Sequence, residues 1–160
     1  MMLRRTFLLS ILILLVGVHA RATEFILPSS ELSAQDVVEI QLLGLQSGNT
    51  DRSAGIEQVW IFAHPDNKRV TGPLLKFATL FDAPAYAPLV GLVNYVINDS
   101  EIEKGVAQFM LTVLARDGSS YGYVWVLRQA NLSAEKTASG KQETVWMTTA
   151  VSSPSIGGAS

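Results

Sequence analysis

The sequence contains no cysteine. Disulfide bonds, zinc ribbons, iron–sulfur sites, lipid attachment to an N-terminal cysteine and thiol nucleophiles are therefore excluded, and the hydrophobic core must hold the fold together. Histidine is also scarce, with 2 in 160 residues. A transition-metal site would need carboxylates at ligand spacing, and the candidate pair Glu101 and Glu103 is more simply interpreted as a turn between strands. We therefore predict no metal and no cofactor.

Several motifs of enzyme and nucleotide sites are missing as well. The sequence has no G-x-x-x-x-G-K-S/T or G-x-G-x-x-G element, so no phosphate cradle of a recognised form is encoded. The segment Gly118-Ser119-Ser120-Tyr121-Gly122 fits the G-x-S-x-G pattern, but it lies at the Asp-Gly turn between two predicted strands. A serine nucleophile of this type needs a turn from a strand into a helix. The sequence therefore gives no direct support for nucleotide binding or for nucleophilic catalysis.

The first 22 residues have the three parts of a secretory signal peptide. Arg4 and Arg5 precede an uncharged apolar run over 7–18, and an A-x-A cleavage pattern ends at Ala22. This run is shorter than the roughly 20 residues that a membrane-spanning helix needs. We predict cleavage near Ala22, with Thr23 first in a periplasmic or secreted protein that keeps no stable membrane anchor. The alternatives are an uncleaved anchor or a buried helix, and both the general secretory and the twin-arginine routes stay open.

Removal of this leader makes the protein more acidic, because three arginines and no carboxylates leave with it. The formal net charge changes from −2 to −5. Nucleic acids and anionic membranes bind through Lys and Arg contacts that release counterions, so neither is an expected partner. Lys68 and Arg69, with Lys76, are too few for such a surface. We interpret them as solubilising a connection between two helices.

Three amphipathic helices are predicted in the first half of the mature chain. The first begins with the capping residue Ser33 and ends at Gly48. Apolar residues at helical spacing predict the second over 56–63. It stops at His64, because a residue before proline avoids helical angles. A polar connection follows, and Pro73 starts the third helix.

The second half of the chain consists of β-branched and aromatic stretches separated by turn residues, which predicts strands. Their expected ranges are 89–97, 105–115, 119–128 and 142–151. Asp117-Gly118 is a hairpin sequence, so the second and third strands should pair antiparallel. Glu101 and Glu103 are interpreted as a turn between the first two strands. Residues 129–141 lack an apolar period and are expected to form a mobile loop.

Helices followed by strands, rather than alternating with them, predict an α+β protein with an antiparallel sheet. We expect three N-terminal helices on one face of a four-stranded sheet, in a single domain. The expected organisation is a signal peptide at 1–22, a flexible lead-in at 23–31, one α+β domain at 32–151 and a disordered tail at 152–160.

Five short segments, taken in order, resemble one family. They are VVEIQL at 37–42, IFAHP at 61–65, NKRVTGP at 67–73, YAPL at 86–89 and WMT at 146–148. They are similar to the uncharacterised domain of unknown function 4864 family, which resembles the cystatin-like or nuclear-transport-factor-2-like (NTF2-like) fold. The resemblance covers about residues 33–151. It implies a curved antiparallel sheet around a long N-terminal helix with a conical cavity, and it implies no activity.

Few residues are candidates for a functional site. His64 is a weak candidate for a general base, since the other histidine lies in the leader. Its alternative role is that of a cation at a helix C-terminus, where the macrodipole favours positive charge. Gln41 lies on the apolar side of the first helix, so its amide either lines the cavity or bonds to the backbone of the core. The other candidate ligand-binding residues are aromatic: Trp60, Tyr86, Tyr95 and Trp125.

Two further patterns leave alternatives open. Tyr121, Tyr123 and Trp125 alternate along one predicted strand and therefore share a sheet face. Either helices bury this face, or it is an aromatic patch for a partner. Asn98 and Asn131 match glycosylation sequons, which matter only in a eukaryotic secretory pathway.

Three functions are compatible with these observations. The first is a non-catalytic module that binds a small apolar ligand, or a protein partner, through the helix–sheet cavity or the sheet face. The second is a small cavity enzyme of the isomerase, dehydratase or hydrolase type, with His64 or a cavity carboxylate as its base. The third is a structural module that pairs as a homodimer. The first is the leading hypothesis, because the sheet is rich in aromatic residues and no acid, base and nucleophile set is present.

Overall fold

A computed structural model describes residues 24–152 and 155–156 of the chain. Within this part the protein is α+β, as predicted, with helices first and an antiparallel sheet after them. The helices are α1 (Ala34–Gln46), α2 (Arg52–Ile61), α3 (Pro65–Thr71) and α4 (Leu74–Thr79). The strands are β1 (Asn94–Glu103), β2 (Val106–Leu114), β3 (Ser120–Leu132), β4 (Glu143–Val151) and β5 (Ser155–Ile156). The predicted leader, and most of the predicted tail, lie outside the described residues.

Strands β1 to β4 form an antiparallel meander, in which β1 pairs with β2, β2 with β3 and β3 with β4. The short β5 adds to β3 beside Tyr121 and Gly122. The edge of β4 that faces away from β3 is partly paired, because Ala63 forms a parallel β-bridge with Thr148 there. The N–H of Thr148 donates to the carbonyl of Phe62 at 2.8 Å. The connection after α2 is therefore fixed directly to the sheet.

The described residues form four α-helices where three were predicted, since the polar connection over 66–69 is helical. Pro65 takes the first position of α3, which suits its fixed φ and missing N–H. This helix ends at Gly72, whose φ of 82° ordinary residues rarely adopt. None of the residues of α3 is fully buried, so it carries no apolar stripe that the sequence pattern could reveal.

Two strand predictions are wrong. The first strand spans Asn94–Glu103 and not 89–97, so Glu101 and Glu103 pair with β2 instead of forming a turn. The turn lies at Lys104-Gly105, where both residues have positive φ, as the type I′ turn of a two-residue hairpin requires. Likewise β3 continues to Leu132, which shortens the expected loop, because its last residues pair with the start of β4.

The core lies between the helices and the inner face of the sheet. Tyr123 and Trp125 are almost completely buried there, so helices cover the aromatic face of β3 and it is not a patch for a partner. The outer face of the sheet is open in the described structure, where Val96 and Met110 are 55% and 45% exposed. None of the described helices combines the length and apolar character needed to cross a membrane.

The predicted start of α1 is confirmed. Ser33 and Asp36 form a reciprocal capping box, in which the Ser33 side chain accepts from the Asp36 N–H and the Asp36 carboxylate accepts from the Ser33 N–H. The Ser33 hydroxyl also donates to the Asp36 carboxylate at 2.6 Å, and this bond, followed by the one from the Ser33 N–H, lowers the pKa of the Asp36 carboxyl group. The box fixes where α1 begins and therefore which of its residues face the sheet.

The two longest helices cross at a pair of glycines. Gly44 of α1 and Gly55 of α2 approach so closely that a Cβ on Gly55 would lie 2.3 Å from the Gly44 carbonyl oxygen. Beside this crossing, Gln58 fixes the segment before α1 to α2, because its amide forms two hydrogen bonds with the backbone of Ile26. Close packing of α1 on α2 sets the position of α2 over the sheet.

Candidate functional site

A pocket of about 220 Å³ lies between helices α2 to α4 and strands β3 and β4. Most of its wall is apolar and comes from Val59, Phe77, Phe81, Leu89, Trp125 and Val151, among others. Its polar residues are Asn67, Thr71, Tyr86, Thr148 and Thr149. None of the residues that line it is Asp, Glu, His, Lys or Arg. The pocket is therefore an uncharged, partly aromatic cavity.

The deep side of this pocket rests on Gln41, which is fully buried in α1. The indole N–H of Trp125 donates to Gln41 Oε1 at 2.8 Å, and Gln41 Nε2 donates to the Thr148 hydroxyl at 2.8 Å. The Thr148 hydroxyl also lies 3.1 Å from Gln41 Oε1, to which it donates. Gln41 does not line the pocket itself. It fixes two side chains that do.

This arrangement differs from both roles that the sequence suggested for Gln41. Its partners are side chains of two neighbouring strands, not backbone groups, and it stands behind the wall rather than in the cavity. A buried polar network of this kind is stable only when all of its members have partners, as they do here. Gln41 is therefore a positioning residue for Trp125 and Thr148.

Tyr86 closes one side of the pocket. Its hydroxyl donates to the carbonyl of Val151 at 3.1 Å, which connects the segment before β1 to the end of β4. Its ring lies 6.4 Å from that of Phe81, which in turn packs edge-on against Phe77 at 5.5 Å. Two of the predicted ligand-binding residues, Tyr86 and Trp125, thus come together in the pocket wall.

Trp60 and Tyr95, by contrast, lie elsewhere. Trp60 packs on Phe77 from outside the pocket, with ring centres 5.0 Å apart. Tyr95 lies on β1 and is partly buried against the core. Burial, together with the nearby Glu39 carboxylate, raises the pKa of the Tyr95 hydroxyl. The structure does not bring these two aromatic residues into the pocket.

His64 also lies outside the pocket, at the N-terminus of α3. Its Nδ1 accepts the N–H of Asp66 at 3.1 Å, so it caps this helix. The expectation of a cation at a helix C-terminus is therefore wrong, because a helix N-terminus favours hydrogen-bond acceptors. The backbone N–H of His64 donates to the Thr148 carbonyl at 2.8 Å, which adds to the link with β4.

Asn67, Thr71 and Thr149 were not identified from the sequence. Asn67 and Thr71 are four residues apart on α3 and so share one helix face, but this spacing is visible only once the segment is known to be helical. Thr149 is the extra residue at the register shift between β3 and β4. Threonine is common in strands, so nothing in the sequence marks it.

Lys68 has a more specific environment than a solubilising residue. Its Nζ donates to the carbonyl of Ile61 near the end of α2 at 3.2 Å and lies 5.3 Å from the centre of the Trp60 ring. Burial, and to a smaller extent the charge of Lys136, lowers the pKa of Lys68 from its usual 10.5 to about 8. In the folded protein, the Lys68 amine is therefore partly desolvated and lies over the ring of Trp60.

The lowered pKa predicts a pH-dependent effect of Lys68 on stability. Above pH 10.5 the amine is neutral in both folded and unfolded chains, and the desolvation penalty is absent. As the pH falls from 10.5 to about 8, the unfolded chain is protonated before the folded one, so the penalty grows and is complete below about 8. The free energy of unfolding of Lys68→Met should therefore increase relative to that of the wild type over this interval. Urea unfolding of both proteins between pH 7 and 10.5 measures the difference. Lys141→Met is the control, and a difference that stays constant with pH would contradict the prediction.

The described residues contain no group of three or more His, Asp or Glu side chains placed to hold a metal ion. Compared with known proteins, the chain matches no family model, no curated protein and no solved structure.

Proposed function

We propose that this protein is a non-catalytic module that binds a small apolar ligand in the pocket between α2, α3, α4 and the sheet. The observation that carries the proposal is an aromatic cavity of about 220 Å³ without a charged lining residue. For comparison, an engineered apolar cavity of roughly 150 Å³ in another protein binds benzene. The pocket is thus large enough for one ring with one or two short substituents.

The side chains around the pocket support binding rather than catalysis. General acid–base catalysis needs a group that exchanges protons near the working pH within reach of the substrate. Among the described residues that line the pocket, the only ionisable side chain is that of Tyr86, whose hydroxyl donates to a backbone carbonyl. His64 uses Nδ1 to cap α3 and does not line the cavity. A version of the enzyme hypothesis based on His64 therefore has no support in this geometry.

We also propose that the fold is of the cystatin-like or NTF2-like kind and that the chain belongs to the domain of unknown function 4864 family. In support, α1 is the longest of the described helices and lies against the inner face of a meandering sheet. Of the five segments that carry the resemblance, four contribute pocket residues: Ala63 in the second, Asn67 and Thr71 in the third, Tyr86 and Leu89 in the fourth, and Thr148 in the last.

Filling the pocket with a larger side chain tests the proposed function. Leu80 lines the cavity, and Leu80→Trp should occupy part of it. We expect this variant to fold. Its free energy of unfolding should be lower than that of the wild type by about 1–3 kcal/mol, since overpacking at a partly buried site has roughly this cost. A library of small aromatic and alicyclic compounds should raise the melting temperature of the wild type but not of Leu80→Trp.

A matched control comes from the same segment. Leu75 of α4 is 84% exposed and does not line the pocket, so Leu75→Trp adds the same side chain outside the cavity. Each compound that raises the melting temperature of the wild type should raise that of Leu75→Trp by the same amount. A compound that stabilises Leu80→Trp as strongly as the wild type would place the binding site elsewhere, and a library without any active compound would reject the proposal.

A further inference from the structure

The polar groups of the pocket restrict the class of ligand. We infer that the pocket takes an uncharged, single-ring molecule that carries a hydrogen-bond donor, such as a phenol or a small cyclic alcohol. This inference rests on the proposed function and names the chemistry of its ligand. Two observations support it. The hydroxyl groups of the pocket donate their protons to groups of the protein, and no charged side chain is among the described lining residues.

The hydroxyl protons in the pocket wall are already engaged by the protein. Thr71 donates to the Asn67 carbonyl at 2.9 Å, Tyr86 to the Val151 carbonyl at 3.1 Å, and Thr149 to the Val126 carbonyl at 3.1 Å. The fourth hydroxyl, of Thr148, donates to Gln41. A hydroxyl that donates to a backbone carbonyl retains lone pairs for accepting. Toward a ligand, these oxygens therefore act as acceptors.

Asn67 adds a further acceptor on the same side. Its Nδ2 donates to the Thr148 carbonyl at 3.4 Å, and this orients the amide. No hydrogen bond from the described residues reaches Asn67 Oδ1. Asn67 and Thr71 lie one turn apart on α3 and both line the cavity, so their side chains share one side of it. A ligand hydroxyl can donate to Asn67 Oδ1 or to the Thr71 hydroxyl oxygen without displacing an existing bond of the protein.

The lining also excludes charged ligands. A carboxylate entering the pocket would find neither Lys nor Arg, and an ammonium group would find neither Asp nor Glu. Transfer of an unpaired charge from water into such a cavity is strongly unfavourable. The aromatic surfaces of Phe77, Phe81 and Trp125 instead favour a flat apolar ring. A neutral ring with one hydrogen-bond donor can pack on the aromatic side chains of the wall and donate to an acceptor on α3.

Four probes test this inference on the full-length chain: phenol, anisole, benzoate and benzylammonium. The Trp125 indole N–H resonance reports on the pocket, because this group is bonded to Gln41 behind the wall. We expect phenol to bind roughly threefold to tenfold more tightly than anisole, which has the same ring and oxygen but no donor, since a neutral hydrogen bond contributes about this much. The two charged probes should bind more weakly than phenol.

The variant Thr71→Val links the preference to the named acceptor. It should reduce the advantage of phenol over anisole by at least roughly twofold. Thr79→Val is its control, because Thr79 makes the same kind of bond to a preceding carbonyl, at Lys76, but lies outside the pocket. This control should leave the advantage unchanged.

The outcomes separate the two proposals. Equal or tighter binding of anisole would overturn the inferred donor while leaving a binding pocket in place. Tighter binding of benzoate or benzylammonium than of phenol would overturn the inferred neutrality. If no probe shifts the Trp125 resonance and no compound of the larger library binds, the proposed function itself fails.

Discussion

Replacement of Gln41 by leucine should lower the free energy of unfolding by about 3 kcal/mol, although leucine has a similar size and is more apolar. The change leaves the Trp125 indole N–H and the Thr148 hydroxyl buried without their partner. Each such orphaned group costs roughly 1–3 kcal/mol, and the added apolar contact offsets part of this. Urea unfolding of Gln41→Leu and wild type measures the loss.

A second substitution separates the lost hydrogen bonds from altered packing. Thr148→Val removes one of the two orphaned groups, so adding it to Gln41→Leu should restore about 1 kcal/mol of the free energy of unfolding. In the wild-type background the same substitution should destabilise, because it leaves Gln41 Nε2 without its acceptor. A Gln41→Leu protein as stable as the wild type would show that the network is not needed for folding.

The crossing of α1 and α2 should tolerate no side chain at Gly55. A Cβ there would lie 2.3 Å from the carbonyl oxygen of Gly44, which is backbone and can move only if the helices separate. We expect Gly55→Ala to lower the free energy of unfolding by about 3 kcal/mol, even though alanine favours helix over glycine by about 1 kcal/mol. Thermal and urea unfolding, with circular dichroism as the readout, measure this loss.

The partner glycine provides the control for that experiment. A Cβ on Gly44 would lie 3.2 Å from the Cβ and Cγ of Gln58 and 3.4 Å from the Gly55 carbonyl oxygen, contacts that a shift of a few tenths of an ångström relieves. Gly44→Ala should therefore change the free energy of unfolding by no more than about 1 kcal/mol, because the gain in helix propensity offsets the contact. Equal losses at Gly44 and Gly55 would refute the asymmetry of this crossing.

The sequence was most informative where a structure depends on residues close together in the chain. The Ser33 capping box, the order of helices before strands and the turn at Asp117-Gly118 all match the structure. The turn at Lys104-Gly105 was missed, because lysine is not a usual residue at positive φ. Helix α3 was missed because it buries no apolar stripe. Its start is set by His64 and Pro65, whose sequence also fits a helix end.

For the candidate site, the sequence supplied the residue types and the tertiary structure supplied their neighbours. Polarity on an apolar helix face identified Gln41 as a residue that needs partners. That those partners are Trp125 and Thr148, 84 and 107 residues away, depends on how strands β3 and β4 lie beneath α1. Aromatic content alone could not separate Tyr86 and Trp125, which line the pocket, from Trp60 and Tyr95, which do not.

By itself, the sequence determined the class of the fold, the beginning of α1 and the absence of cysteine chemistry, because these depend on composition and on neighbours within one helical turn. Only the tertiary structure decided where the pocket lies, that no charged side chain lines it and which way its hydroxyl groups donate. The physical reason is that hydrogen-bond direction and burial are properties of groups that meet in space. They are set when α3, α4 and β4 pack together, and no spacing along the chain records them.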